Sequence, residues 1–361
     1  MSSIQEVARE AGVSTATVSR TFSTPDLLTH STRQRVLDVA QRLNYRPRVS
    51  HARRTSGRDG QGSSNETLDT LGFLFFASEF DVSPINEFYA PVLSGAQAEA
   101  AHRGMHLLIR MAPRYTQPHE VPKMFREQAV AGTLLVGAAL PDVLDAYAEH
   151  LPVSVLVDNC DTKGRHDCIL SDGFDGVRCA TDYLIGLGHR RIGFVLDEVT
   201  APSFRDRRRG WLCAQWEAEL PIGPYWVLPA ARGDDFKESL TTLLMSPDRP
   251  TALIAANDAL ALAVMQVCRS IGLNIPDDLS IIGFDDIPFS VHTYPPLTTV
   301  RVDKELMGRL AVRSLLSRIN EGQTSATGAT EPVHISVPVF LVVRESCGPP
   351  KSKEPRTVTT S

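Results

Sequence analysis

Two stretches determine the fold of the N-terminal part of this chain: SSIQEVAREAGVSTATVSRTF at residues 2–22 and STRQRVLDVAQRLNY at residues 31–45. In both stretches apolar residues recur three or four positions apart, which is the spacing of one face of an α-helix. Three such faces can close on one another around a small shared core. The predicted core residues are Ile4, Val7, Ala8, Ala11, Val13, Thr17, Val18, Val36, Leu37, Ala40 and Leu43.

Capping residues mark where these helices begin and end. Ser3 and Ser31 each stand three residues before a Glu or a Gln, which is the spacing of a capping box. Gly12 can adopt the left-handed conformation that ends the first helix, and Ser14 can cap the second. The pattern therefore predicts a helix-turn-helix followed by a third helix.

The second helix of a helix-turn-helix can enter the major groove of DNA, where every base pair shows a distinct pattern of donors and acceptors. Thr15 and Ala16 lie at the start of this helix, and Ser19 and Arg20 follow one turn later. An Arg can pair bidentately with guanine, and a Thr or Ala can contact a thymine methyl group. The alternative interpretation is a polar helix face that is merely solvated.

The distribution of charge favours the DNA-binding interpretation. Residues 1–60 contain ten Arg, no Lys and five acidic residues, a net charge of +5, whereas the whole chain carries −5. The remaining 301 residues therefore carry −10. A basic segment attached to an acidic body is typical of a protein that reads nucleic acid through one small domain.

The segment GVSTATVSR, its spacing to STRQRVLDVAQRLNYRP and the strand-end residues described below resemble the lactose repressor and galactose repressor family of bacterial transcription regulators. The resemblance extends from Ser3 to about Pro349. It implies that the second helix reads base edges through Thr15, Ala16 and Arg20. It also implies phosphate contacts, which set register without reading sequence, by Ser3, Ser19, Thr29, Thr32 and Tyr45.

The segment after the third helix departs from this family. The resemblance implies a hinge helix that inserts a Leu into the minor groove, but that position falls on Arg54, or on Thr55 if one residue is inserted. Neither side chain can wedge between base pairs as Leu does. We expect His51, Arg53 and Arg54 to lie along the minor groove or on phosphates. A simple basic linker, continued by the Gly/Ser-rich residues 57–67, is the alternative.

From residue 71 the pattern changes, because short apolar runs rich in β-branched and aromatic residues alternate with helical segments such as 90–103, 174–187 and 258–271. This alternation predicts an α/β body whose parallel sheets are buried on both faces. The predicted strands are LGFLFF, MHLLIRM, GTLLVG, VSVLVDN, RIGFVL, TALIAAN and LSIIGFDD.

The resemblance implies the fold class: a small all-α helix-turn-helix head and an α/β body of two parallel-sheet lobes, like the periplasmic sugar-binding proteins, with three crossings between lobes. We place lobe one at about 70–160 and 301–322, and lobe two at about 161–300 and 323–345. The predicted domains are a DNA-binding domain at 1–47, a hinge and flexible linker at 48–69, an effector-binding and dimerisation domain at 70–345, and a C-terminal tail at 346–361.

Strand-end residues match the effector contacts of the family and should line a cleft between the lobes. Carboxylates there would accept hydrogen bonds from the hydroxyls of a polyol, Arg and Asn would donate to them, and aromatic rings would cover its C–H surface. Each residue also has a structural interpretation, such as a helix cap, an exposed charge or a core position. The predicted effector-binding residues are Phe88, Tyr89, Asp158, Arg205, Arg207, Phe236, Asn257 and Asp285.

Two departures leave the effector open. The family's usual Asn-Pro-Phe-Phe segment is here Asn86-Glu87-Phe88-Tyr89, and Gly173 stands where Asn is frequent. Because these changes alter the cleft surface, a sugar, a sugar phosphate, a purine or no ligand at all remain alternatives.

Motifs of enzymes are missing from the sequence: there is no G-x-S-x-G elbow, no P-loop and no H-E-x-x-H segment. The six cysteines form no C-x-x-C pair, so we expect reduced, packed thiols, no metal site, no cofactor and no catalytic residue. No stretch approaches the roughly twenty apolar residues of a membrane span. We therefore predict a cytoplasmic protein that is not an enzyme.

These observations predict a sequence-specific DNA-binding transcription regulator, by resemblance a repressor, that binds a pseudo-palindromic operator as a homodimer. A small molecule in the cleft, expected to be a carbohydrate, would control its operator affinity. Two alternatives remain: a soluble sugar-binding protein of a transport system, and a DNA-binding regulator that needs no effector.

Overall fold

The computed structural model describes residues 4–23, 29–43, 69–77, 86–113, 121–137, 141–147, 150–151, 153–161, 163–196, 202–223, 227–229, 234–324 and 331–351. Contacts divide the chain into two compact units, Met1–Asn65 and Glu66–Ser361. The first is a small helical head, and the second is the α/β body.

Three helices form the head: α1 (Ile4–Ala11), α2 (Thr15–Ser23) and α3 (His30–Arg42). Their apolar faces meet in one core, as the sequence predicts. The buried residues are Val7, Ala8, Ala11, Val18, Val36, Val39 and Ala40. Val39, which is not among the predicted core residues, is buried, whereas the predicted Leu37 is only half-buried.

The predicted turn between α1 and α2 is confirmed. Gly12 has a φ of +62°, and the Val13 N–H closes the turn by donating to the Ala8 carbonyl oxygen at 3.0 Å. Ser14 caps α2, since its Oγ accepts from the Thr17 N–H at 3.1 Å. The predicted cap of α3 is wrong by two residues. The Oγ1 of Thr29, and not that of Ser31, accepts a hydrogen bond from the Thr32 N–H in the first turn.

The body contains twelve strands and eight α-helices within the described residues. The strands are β1 (Thr70–Ala77), β2 (His106–Pro113), β3 (Gly132–Val136), β4 (Val153–Val157), β5 (Asp167–Ser171), β6 (Ile192–Leu196), β7 (Val227–Pro229), β8 (Ala252–Ala255), β9 (Ser280–Asp285), β10 (Thr298–Val302), β11 (His334–Val337) and β12 (Val339–Val342). The helices are α4 (Tyr89–His102), α5 (Lys123–Arg126), α6 (Pro141–Tyr147), α7 (Gly173–Gly186), α8 (Pro202–Glu217), α9 (Asp234–Met245), α10 (Asp258–Ser270) and α11 (Lys304–Thr324).

These strands form two six-stranded sheets, one for each lobe. The lobe-one sheet has the order β11-β5-β4-β3-β1-β2, and the lobe-two sheet has the order β12-β10-β9-β8-β6-β7. All pairings are parallel except that of β10 with β12. The apolar runs of the central strands are buried, as predicted for sheets covered on both faces. The run in β2 departs from that prediction, because β2 is an edge strand and its Leu108, Ile109 and Met111 are exposed. Every predicted strand and the three predicted helices are confirmed.

The predicted lobe boundaries need correction. Strand β5 pairs with β4, so lobe one continues to Ser171 instead of ending near residue 160. Strand β11 pairs with β5 and also belongs to lobe one, whereas only β12 belongs to lobe two. The chain therefore changes lobe after Ser171, after Val302 and after Val337. Hydrophobic periodicity shows that these segments are strands but not which sheet they join.

The predicted C-terminal tail also needs correction at its start. Ser346 is fully buried, and its Oγ donates to the Ile281 carbonyl oxygen at 2.6 Å. The Gly348 carbonyl oxygen accepts from Nε2 of buried His189 at 2.9 Å and from the Ser280 hydroxyl at 3.0 Å. Residues 346–348 are thus part of lobe two. The contacts that hold them are polar, and polar contacts leave no hydrophobic periodicity in the sequence.

Candidate functional site

Three aspartates at strand ends have positive φ angles, which residues other than Gly rarely adopt. Asp158 follows β4 with a φ of 55°, Asp285 ends β9 with a φ of 112°, and Asp286 has a φ of 51°. Such conformations cost on the order of 1–3 kcal/mol each and cluster at functional sites. They stand at the carboxyl ends of parallel strands, where open α/β sheets bind ligands.

The lobe-one side of this site is formed by Tyr89 and Asp158. The Tyr89 hydroxyl donates to Asp158 Oδ2 at 2.7 Å. Its ring is 4.8 Å from that of Phe75 and 4.9 Å from that of Phe88, centroid to centroid, so the phenol is held in an aromatic cluster. Burial raises the pKa of Asp158, and Arg207 opposes this rise. Burial also raises the pKa of Tyr89, so the phenol is neutral.

The lobe-two side is formed by Arg207 and Asp285. Arg207 is buried, its Nη1 donates to the Ala256 carbonyl oxygen at 2.5 Å, and its Nη2 lies 3.4 Å from Asp285 Oδ1. Its guanidinium stacks 3.8 Å above the ring centre of Phe284. Burial raises the pKa of Asp285 to about 7 although Arg207 opposes that rise.

The two sides face one another, since Arg207 and Asp285 of lobe two act electrostatically on Asp158 and Tyr89 of lobe one. Within the described part of the chain, Arg207 Nε and Asp285 Oδ1 have no hydrogen-bond partner. Buried polar atoms of this kind need partners, and a ligand can supply them. The site can therefore donate through guanidinium N–H groups and accept through carboxylate oxygens.

Two buried charged residues outside the predicted set support the site. The Lys304 ammonium donates to the Asp285 backbone carbonyl oxygen, linking the start of α11 in lobe one to the end of β9. Asp258 accepts from the Ile287 N–H at 2.9 Å and from the Thr299 hydroxyl at 2.5 Å, and burial raises its pKa to about 6. No motif marks Lys304, and Asp258 has the sequence position of a helix cap.

Three predicted effector residues are not brought into this group. Arg205 lies two residues before Arg207 on α8, hence on the opposite side of the helix, and is exposed. Phe236 is buried in the lobe-two core with Val195 and Leu240. Asn257 caps α10, because its Oδ1 accepts a hydrogen bond from the Leu260 N–H at 2.9 Å. Its side-chain amide nitrogen takes no part in that cap. The other five, Phe88, Tyr89, Asp158, Arg207 and Asp285, lie together.

Six of the predicted DNA-binding positions lie on or beside helices of the head. Thr15 and Ala16 are exposed at the start of α2, and Ser19 and Arg20 lie within that helix. Thr29 donates from its hydroxyl to the Thr32 hydroxyl at 2.9 Å beside the start of α3. The remaining predicted positions, Ser3, Tyr45, His51, Arg53 and Arg54, lie outside the described residues.

Comparison with known proteins decides the family. Residues 3–48 match the model of bacterial regulatory proteins of the lacI family, and residues 181–347 match the periplasmic binding protein-like domain. The HTH-type transcriptional repressor PurR of Haemophilus influenzae is 31% identical over 351 residues, which cover 96% of this chain and 98% of that protein. This chain belongs to the lacI family. It is a DNA-binding transcriptional repressor.

Solved structures agree with this assignment. The transcriptional regulator CelR–cellobiose complex aligns with a TM-score of 0.67 and 27% identity, covering 96% of this chain and 100% of that one. The lac repressor dimer bound to operator and the anti-inducer ONPF aligns with a TM-score of 0.68 over 96% and 99% of the two chains, and at 23% identity it shows the shared fold. The predicted fold class is thereby confirmed. None of the helices in the described ranges is long and apolar enough to span a membrane.

Proposed function

We propose that the effector of this lacI-family repressor is a neutral polyhydroxylated molecule of the carbohydrate class, bound between the two lobes. The observation that carries this proposal is the convergence of Tyr89 and Asp158 from lobe one with Arg207 and Asp285 from lobe two. Carboxylate oxygens would accept from vicinal hydroxyls, and the guanidinium would donate to them. The rings of Phe88 and Tyr89 offer apolar surface for C–H groups.

The balance of charge favours a neutral ligand over a phosphorylated one. Two carboxyl groups face one guanidinium in the cleft, and the Lys304 ammonium is engaged with backbone carbonyl oxygens. A dianionic phosphate would have to share the space with Asp158 and Asp285 at close range, which costs free energy in a buried site. The similarity to a regulator solved with cellobiose supports the same ligand class.

On the DNA side, we propose a homodimer that reads a pseudo-palindromic operator, one head on each half-site. Thr15, Ala16 and Arg20 would read base edges, while Ser3, Ser19, Thr29, Thr32 and Tyr45 would hold phosphates. The exposed start of α2 supports this assignment. Effector binding would change the angle between the lobes and, through residues 48–69, the operator affinity.

Footprinting on genomic fragments tests this proposal when combined with a ligand panel of neutral mono- and disaccharides, sugar phosphates and nucleobases. We expect one neutral saccharide to change operator affinity of the unmodified protein by at least about tenfold, a coupling of roughly 1.4 kcal/mol. Arg207→Lys should abolish this response because Lys cannot donate in the same forked geometry. Arg205→Ala is the matched control and should respond like the unmodified protein.

Three results would contradict the proposal. A response to a sugar phosphate or a nucleobase alone would assign the cleft to a different ligand class. Operator binding that no compound alters would favour an effector-independent regulator. Loss of the response in Arg205→Ala but not in Arg207→Lys would move the site to the outer side of α8.

A further inference from the structure

The lobe-one sheet brings together two cysteines and a histidine that are remote in sequence. Ligand atoms of Cys160, Cys168 and His334 all lie within 4.8 Å of one another. Cys168 is buried in β5, Cys160 is partly buried after β4, and His334 is exposed on the edge strand β11. The effector cleft does not use any of these three side chains.

Strand register explains the cluster. In the parallel pair of β5 and β11, His334 stands directly beside Cys168. Paired residues project to the same face of a sheet, so both side chains point toward the side on which Cys160 lies. Cys160 follows β4, which runs beside β5 as far as the Asp158 N–H that donates to the Ile169 carbonyl oxygen at 2.9 Å, and it packs against the hydrophobic cluster that includes Cys168.

The donor set is that of a soft metal ion. Two thiolates and one imidazole suit Zn²⁺, whereas Mg²⁺ and Ca²⁺ prefer oxygen ligands. Zinc–sulfur bonds of about 2.3 Å in tetrahedral geometry place two sulfur atoms roughly 3.8 Å apart. The three ligand atoms lie within 4.8 Å of one another, about 1 Å beyond that spacing, and His334 is exposed while Cys160 is only partly buried.

We propose that Cys160, Cys168 and His334 bind one Zn²⁺ ion, with a fourth position open to water. The site departs from the sequence expectation of no metal, because its ligands have no recognisable spacing along the chain. The bound ion ties the segment after β4 to the edge strand β11. Since Asp158 of the effector cleft lies two residues before Cys160, zinc at this site stiffens one wall of that cleft.

The protonation state of the thiols makes zinc binding measurable in a second way. A free cysteine thiol is mostly protonated at neutral pH, because its ordinary pKa is about 8.5. A zinc ion binds the thiolate and must displace that proton. Binding therefore releases protons to the solvent, and the zinc affinity rises with pH.

The test uses the full chain, untagged and reduced, titrated with Zn²⁺ against a chromophoric chelator and, separately, with Co²⁺. We expect one ion per chain, proton release on binding, and the intense near-ultraviolet absorption of Co²⁺ bound to thiolate. Cys160→Ser and His334→Ala should each weaken zinc binding at least about tenfold. Cys179→Ser is the matched control, because Cys179 is an exposed thiol on α7, and it should bind zinc like the unmodified protein.

Mass spectrometry of alkylated peptides gives an independent measurement. Zinc should protect Cys160 from a maleimide while leaving Cys179 equally reactive. The proposal is overturned if the Co²⁺ complex lacks thiolate absorption, if zinc does not protect Cys160, or if His334→Ala binds zinc as tightly as the unmodified protein. These outcomes are independent of the effector, so they do not depend on the proposed function.

Discussion

At the scale of single residues, Asp285 combines two unfavourable properties. Its φ is 112°, and its carboxyl group is buried near Asp258 and Asp158, where the cations Arg207, at 3.4 Å, and Lys304 only partly offset the burial. Burial disfavours the ionised form, which is why the pKa rises to about 7. Both properties lower the stability of the folded protein.

The raised pKa of Asp285 predicts how stability depends on pH. In the unfolded chain the carboxyl group has its ordinary pKa of 3.8, whereas in the folded protein its pKa is about 7. Between these values the folded state holds a proton that the unfolded state has lost, so the contribution of Asp285 to stability falls as the pH rises. Asp285→Asn mimics the protonated form. Its free energy of unfolding should therefore rise relative to that of the unmodified protein by up to about 1.4 kcal/mol for each pH unit between these two values.

Urea unfolding at pH 5, 6, 7 and 8 measures this difference. Asp286→Asn is the matched control, because Arg344 and Arg301 hold the pKa of Asp286 below its ordinary value despite its burial. That variant should lose stability by a constant amount over the same pH range. A constant difference for Asp285→Asn as well would show that this carboxyl group is ionised throughout.

At the scale of elements, glycines let pairs of helices approach closely in both lobes. In lobe one, Gly95 of α4 and Gly308 of α11 face the partner helix, and a Cβ atom on either would overlap a backbone carbonyl oxygen. In lobe two, a Cβ atom on Gly210 of α8 would likewise overlap the carbonyl oxygen of Phe174 in α7. Backbone cannot move aside as a flexible side chain can, so these positions determine the helix spacing.

Replacing one of these glycines should separate the helices. We expect Gly308→Ala to destabilise the protein by roughly 1–3 kcal/mol, because the added methyl group overlaps the Val92 carbonyl oxygen. Chemical denaturation followed by circular dichroism measures this loss. Gly186→Ala is the matched control: a Cβ added there would have no heavy atom within 4 Å outside its own stretch of helix, so stability should stay equal or rise by up to about 1 kcal/mol. Equal stability of both variants would refute the close approach.

At the scale of the whole molecule, the charges are separated along the chain. Residues 1–60 carry a net charge of +5 and the remainder carries −10. Electrostatic attraction to phosphates is then confined to the N-terminal part, and the acidic body opposes non-specific binding. The basic residues His51, Arg53 and Arg54 extend the positive charge beyond the three helices.

This separation predicts the salt dependence of operator binding. If Arg53 and Arg54 contact phosphates, the Arg53→Ala and Arg54→Ala double variant should flatten the slope of log affinity against log salt by roughly two. The exposed body residues Arg126 and Arg269 provide the matched double control, whose slope should not change. Because Arg54 cannot wedge like Leu, the unmodified protein should also bend its operator weakly. An unchanged slope in the double variant, or a strong kink in a bending assay, would argue against this hypothesis.

Local patterns in the sequence were sufficient to predict the helices and strands and many of the residues that line the cleft. Periodicity located the helices of the head and the buried strands, because the burial of a face leaves its period in the chain. Asp158 and Asp285 could be placed because strand ends meet at one edge of a parallel sheet. Arg207 could be named by resemblance, but its stacking on Phe284 and its buried pairing could not.

Which remote segments meet became visible only in the folded protein. The tertiary structure assigned β5 and β11 to lobe one, packed Ser346 into lobe two, brought Lys304 to Asp285 and placed His334 beside Cys168. Sheet membership and side-chain encounters depend on which surfaces can be buried together across long loops, and such encounters leave no period in the sequence. For that reason the family and the fold class could be read from the chain, while the arrangement of the buried charged groups and the cysteine–histidine cluster came from the fold.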